Sequence, residues 1–222
     1  MLGVGASRTF AGAFVKRSTM TASSSASEAK AASWRTPAVI IFCGCLISMI
    51  SFGPRSSLGF FLTPLSQANH WGRDVFAFAL AVQNLLWGVG QPFAGAIADR
   101  YGAPRVLAVG ATLYALGLYL MASATTPLAL TLSAGVLIGF GLSGCAFAVV
   151  VGAFGKLVPA EWRSTAFGLG TAAGSFGQFL FSPLAVALMD RFGWTVAWAV
   201  FAALLLLILP VSFMLSAPPA SG

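Results

Sequence analysis

From residue 37 onward the chain consists of long apolar runs, each about twenty residues or more, with polar residues gathered in short breaks between them. A helix needs about 20 apolar residues to cross a hydrocarbon core of roughly 30 Å. Six runs meet that length, at about 37–65, 75–98, 106–124, 128–155, 165–189 and 195–215. The first contains Gly53-Pro54, which is expected to break its helix. A membrane-spanning barrel needs short segments alternating apolar and polar residues. These runs are continuously apolar, which selects helices, whose backbone groups are satisfied within the segment itself. The pattern therefore predicts an all-α membrane protein with six transmembrane helices, a six-helix bundle over residues 34–222.

Residues 1–33 have a different texture. The stretch Ser7–Lys30 is rich in Ser and Ala and offers little to bury, which predicts a disordered cytoplasmic tail. Its apolar core Phe10–Val15 is short for a secretory signal, and no cleavage site stands out. Its Arg and Ser with almost no acid also resemble a transit peptide, and Met20 offers a second start.

Composition sharpens the class. Hydrophobic residues make up 58% of the chain and charged residues 8%, against about 25% charged in ordinary soluble domains. Too few charges remain to coat a water-soluble globule. The net charge of +7 does not signal nucleic acid, because no run of Lys and Arg forms a patch. It signals topology instead. Nine of the twelve cations (Arg8, Lys16, Arg17, Lys30, Arg35, Arg100, Arg105, Lys156 and Arg163) fall on one side of six crossings. The positive-inside rule makes that side cytoplasmic, with both termini on it. Trp34, Trp71, Trp162 and Trp194 fall near span ends, where interfacial anchors belong. The implied location is an integral membrane protein of the bacterial cytoplasmic membrane, with the lipid bilayer as its first partner.

Little else suggests chemistry. Cys43, Cys45 and Cys145 lie within spans and read as packing residues. His70, the single histidine, lies in an outer loop. No metal spacing, phosphate loop or Ser-His-Asp arrangement is present, so the chain is expected to be no enzyme and to need no cofactor or metal.

The strongest pattern is a repeat. Residues 91–102 read QPFAGAIADRYG and residues 182–193 read SPLAVALMDRFG. Pro92/Pro183, Ala94/Ala185, Ala96/Ala187, Asp99/Asp190, Arg100/Arg191 and Gly102/Gly193 are identical at a constant offset. The same offset carries the first span onto the fourth. Each unit has three crossings, an odd number, so the second copy sits upside down relative to the first. Such a 3+3 inverted repeat is an architecture of secondary transporters.

The loop after the second span reads Gly95-Ala-Ile-Ala-Asp99-Arg100-Tyr-Gly102-Ala-Pro104-Arg105. It resembles the signature loop of the major facilitator superfamily, departing from it at Pro104, where the family usually has a second cation. The resemblance covers the chain from about Trp34 to its end and implies one half of a major facilitator fold. It implies a gating loop of Gly95, Asp99, Arg100, Gly102 and Arg105, with Asp99 and Arg100 as a charged latch between states. A softer resemblance, carried by Arg55-Ser-Ser-Leu-Gly-Phe-Phe-Leu-Thr-Pro64 and Gln83-Asn-Leu-Leu-Trp-Gly88, is to bacterial relatives of the oxalate/formate and monocarboxylate transporters. The fifth-span antiporter signature is half present: Gly170-Thr-Ala-Ala-Gly174 is followed by Ser175 where that family has Pro.

Arg55 is the one ionisable residue well inside an apolar run, and such residues are costly and usually functional. Its bidentate fork suits a carboxylate; the alternative is an arginine reaching back to the interface. Gln83, Trp87, Gln91 and Gly95 recur every four residues and share a helix face, with Asn84 beside it. That face either lines a cavity or hydrogen-bonds a neighbouring helix. Tyr114, Tyr119 and Gln178 complete the polar candidates for the solute site. The expected function is secondary active transport of a small solute, an organic anion such as a monocarboxylate, by alternating access. The family's machines have two six-span halves, so a second six-helix half or a homodimer partner is implied. The alternative is a truncated or degenerate half serving as a non-transporting scaffold or subunit.

Overall fold

A computed structural model describes residues 36–216, and every regular element in that range is helical. The predicted tail of residues 1–33, together with Trp34 and Arg35, lies outside the described residues, as do residues 217–222.

The first run becomes α1 (Pro37–Ser57), a 3-10 turn (Leu58–Phe61) and α2 (Leu62–Asn69). Thr36 starts α1, its hydroxyl accepting the Val39 N–H at 3.4 Å. The second run is α3 (Arg73–Tyr101) and the third α4 (Ala103–Ala122). The fourth is α5 (Pro127–Leu130), a π-helical segment (Thr131–Leu137), α6 (Ile138–Gly144) and α7 (Phe147–Leu157). The fifth is α8 (Ala160–Phe192). The sixth is α9 (Trp194–Leu206), α10 (Ile208–Ser212) and a 3-10 turn (Phe213–Leu215). The two longest helices begin with acid and end with base, as the helix dipole favours: Asp74 and Arg100 on α3, Glu161 and Arg191 on α8.

Five stretches are long and apolar enough to cross a membrane: Pro37–Asn69, Ala103–Ala122, Pro127–Leu157, Ala160–Phe192 and Trp194–Leu215. The sixth, α3, has 29 residues, about 43 Å at 1.5 Å per residue. It has the length but is less apolar, because Gln83, Asn84 and Gln91 interrupt it.

The expected break at Gly53-Pro54 does not form. Pro54 lies inside the continuous helix α1. Proline forfeits one backbone bond but has the helical φ, and the Ser56 and Ser57 hydroxyls both donate to the Gly53 carbonyl, at 2.7 and 3.3 Å. The irregularity comes just after Arg55, at the 3-10 turn. That turn places Phe61 against α9, where its ring stacks on Trp198 at 3.7 Å between centroids and meets Phe201 edge-on at 6.4 Å.

Helix α4 is the core of the packing, with α6 and α9 against it, and α6 also lies on α3. Glycines set the α4–α6 separation. A Cβ on Gly110 would lie 2.7 Å from the Gly144 carbonyl carbon, and one on Gly141 would lie 2.6 Å from the Tyr114 nitrogen. Helix α8 is buried only along Ala166, Gly170, Gly174, Gly177, Phe181 and Ala185. Most of its remaining surface is uncovered, and Phe176 and Phe179 point outward. Phe42, Phe78, Phe93 and Val109 are also more than 60% exposed. An exterior this apolar is stable against lipid and not against water.

The sequence repeat has a counterpart in local structure. Helix α3 ends at Tyr101 and α4 begins at Ala103; α8 ends at Phe192 and α9 begins at Trp194. The single residue between each pair is a glycine in a positive-φ conformation, Gly102 at +92° and Gly193 at +83°, which a side chain would strain. Pro92 and Pro183 lie inside α3 and α8 at matching positions.

Candidate solute-binding site

The C-terminal end of α1 faces the middle of α3. There an Arg55 guanidinium nitrogen donates to the Asn84 side-chain oxygen at 2.6 Å, and its carbon lies 4.5 Å above the Trp87 ring. Asn84 is oriented for this by donating its own amide to the Leu80 carbonyl at 2.8 Å. Trp87 is held edge-on by Phe52, one helical turn before Arg55, at 6.5 Å between centroids. Spacing brings the four side chains together: 52 and 55 share a face of α1, and 84 and 87 share a face of α3.

The cluster has spare bonding capacity. A guanidinium carries five N–H donors, and Arg55 Nε is buried without a hydrogen-bond partner, as is Trp87 Nε1. Among the described residues the one ion pair is Lys156–Asp99, and none of their carboxylates neutralises Arg55. A cation held by an amide oxygen and an aromatic face, with free donors, is set up for an external anion.

The remaining candidates separate. Gln83 is buried, and its amide donates at 2.8 Å to the Ala134 carbonyl inside the π-helical segment. Of the two roles open to the 83/87/91 face, Gln83 takes the interhelical bond. Tyr114 is fully buried, with its hydroxyl lacking a hydrogen-bond partner. Gln91 is half-buried further along α3, and Tyr119 is exposed on α4. Gln178 lines a pocket of about 130 Å³ with Phe52, Phe147, Gly170, Thr171, Gly174 and Ser175. The open face of α3 runs through Asn84 and Gly88, one residue round from the predicted stripe.

The loop motif also resolves into partners. Asp99 pairs with Lys156 at the end of α7, at 2.8 Å. The Arg100 guanidinium instead lies 5.4 Å over the Tyr101 ring. Beneath the ion pair is a cavity of about 220 Å³ lined by Gly95, Gly102 and Lys156 among others. The Lys156 and Asp99 side chains are 52% and 73% exposed, so the bond is worth about 0–1 kcal/mol in its present setting. Lys156 was readable in sequence only as a topology-setting charge. A lone base and a lone acid at the ends of two runs on the same side was the signal that could have paired them. Phe52 gave no signal among nineteen phenylalanines.

An uncovered apolar exterior and long bundled helices define a membrane protein, with an arginine set between two of its helices. Sequence and fold comparisons agree. The sequence model of the Major Facilitator Superfamily matches residues 44–222, and the chain belongs to that family. It is 31% identical over 183 residues to monocarboxylate transporter 11 of Homo sapiens, covering 80% of this chain and 37% of that protein. It is 34% identical over 154 residues to the probable anion transporter 3, chloroplastic, of Oryza sativa subsp. japonica, covering 66% and 29% respectively. Among solved structures it is similar to the inward-open xylose transporter XylE of E. coli, with a TM-score of 0.65 at 17% identity, covering 82% of this chain and 48% of that one. The chain thus spans less than half the length of these relatives. It is an integral membrane protein of a transporter family, and membrane transport of a small solute is the function that family membership supports.

Proposed function

We propose that this chain is a six-helix half of a secondary transporter that carries a small organic anion, a monocarboxylate, by alternating access. The observation that carries this reading is Arg55, set in a membrane helix on Asn84 and over Trp87, with free donors and no acidic partner among the described residues. In this reading Arg55 and Trp87 Nε1 hold the carboxylate, Asn84 positions the guanidinium, and Gln178 and Gln91 meet the rest of the solute. Monocarboxylate and anion transporters among the relatives support the substrate class. The matching glycine turns after α3 and α8 support a 3+3 inverted repeat. The protein sits in the cytoplasmic membrane in this reading, and the distribution of cations supports both termini on the cytoplasmic side. The Asp99–Lys156 pair closes one end of the bundle in one state and parts in the other. A second six-helix half, or a second copy of this chain, covers the open faces of α3 and α8.

The test is uptake of radiolabelled monocarboxylates into vesicles containing the purified chain, in each oligomeric state it adopts. Arg55→Ala should lower uptake at least about tenfold, as loss of a charged hydrogen bond of 1.5–3 kcal/mol implies. Arg55→Lys, which keeps the charge without the fork, should retain part of it. Uptake unchanged in Arg55→Ala would remove Arg55 from the site. No uptake by any oligomeric state of the chain would favour the second reading, a non-transporting subunit.

A further inference from the structure

A second large space in the molecule, which Arg55 does not line, lies among α3, α4 and α6. Helices α3 and α4 meet at the Gly102 turn and diverge over α6. Between them is a groove of about 750 Å³. Val89, Phe93 and Ile97 form one wall, Val109 the other, and Phe140 is part of the floor; all five are at least 46% exposed. At the Gly102 end the lining changes character to Tyr101 and Arg105. Among the described residues Arg105 makes no ion pair, and neither does Arg100, which lies over Tyr101.

Three properties point to one occupant. From Tyr101 to Val89 the wall is about 18 Å long at 1.5 Å per residue, close to the roughly 15 Å of a single bilayer leaflet. Along that length the walls and floor are predominantly apolar, which suits a hydrocarbon chain. A free guanidinium beside a tyrosine stands at its mouth, where a membrane-seated groove meets the headgroup layer, and basic sites between transmembrane helices recognise anionic headgroups.

We infer that this groove is a binding site for an anionic phospholipid, with an acyl chain along Phe93, Ile97 and Val109 and the phosphate on Arg105. The lipid bridges α3 and α4 in a space that Arg55 does not line.

Native mass spectrometry of the full chain, released from vesicles of equal phosphatidylcholine and phosphatidylglycerol, tests this. The wild-type protein should retain phosphatidylglycerol over phosphatidylcholine by about fivefold, the preference expected for one arginine at a membrane surface. Arg105→Gln should bring the ratio to about one. Val109→Trp, which fills the groove and leaves the charge in place, should lower retention of both lipids. Equal retention by the wild type, a preference surviving Arg105→Gln, or undiminished lipid on a monodisperse Val109→Trp protein would each overturn the site. So would a lipid-free dimer joined through this face, which would give the groove to a second copy.

Discussion

Replacing Gly110 by alanine tests whether α4 and α6 are held together by backbone contact. A Cβ at Gly110 would lie 2.7 Å from the Gly144 carbon and 2.8 Å from both the Cys145 nitrogen and the Gly144 Cα. All three are main-chain atoms, so no rotamer can relieve the overlap. The nearest contact is about 0.7 Å short of the 3.4 Å at which ordinary van der Waals contact begins. The helices must separate by that amount, and α4 is packed on its other side by α9. Overpacking of this kind costs about 1–3 kcal/mol. For a chain of this size that lowers the melting temperature by about 2–12 °C. Gly152→Ala is the matched control, because a Cβ there meets nothing within 4 Å. Alanine is favoured over glycine in a helix by about 0.5–1 kcal/mol, so this variant should melt at the wild-type temperature or slightly above. Both would be followed by intrinsic fluorescence during thermal unfolding in detergent. A Gly110→Ala protein as stable as wild type, or a Gly152→Ala protein less stable than Gly110→Ala, would refute the backbone-contact account.

Gln83→Leu should cost about 1–3 kcal/mol in the same assay, because it leaves the Ala134 carbonyl without its side-chain donor inside the packing; an unchanged melting temperature would count against that bond. Asp99→Lys and Lys156→Asp should each lower vesicle uptake by placing like charges at the mouth of the 220 Å³ cavity. The double exchange should restore most of the uptake, and a double variant as impaired as either single would show that the pair is not the latch.

The helices were legible because their signal is collective: twenty apolar residues outweigh any single interruption, including Pro54 and Pro92. Arg55 was legible for the converse reason, as a charge where none should be. Its surroundings were only partly so. Period-four spacing grouped Gln83 with Trp87, yet a helix has 3.6 residues per turn, and the drift turns Gln83 into the bundle and Asn84 onto the guanidinium. The π-helical segment at Thr131–Leu137 left no trace in residue type, although it holds the carbonyl that receives Gln83. The Asp99-Arg100 latch came from the loop's resemblance to the family signature, which names no partners. Asp99 pairs with Lys156 and Arg100 lies over Tyr101, since adjacent helical residues point in different directions.

The two one-residue joints at Gly102 and Gly193 have a mechanical meaning. A linker that short leaves no slack, so α3 with α4, and α8 with α9, must swing as stiff elbows. Their angles are set by a pair of backbone torsions, not by a floppy strap. The compliance of the bundle then falls to the members that carry internal defects: the first run, with its 3-10 turn at Leu58–Phe61, and the fourth, where the non-helical backbone of Ala146 (ψ 145°) parts α6 from α7. The scaffold thus divides between rigid arms and two pliant staves, and the charged pocket is built on one of the staves.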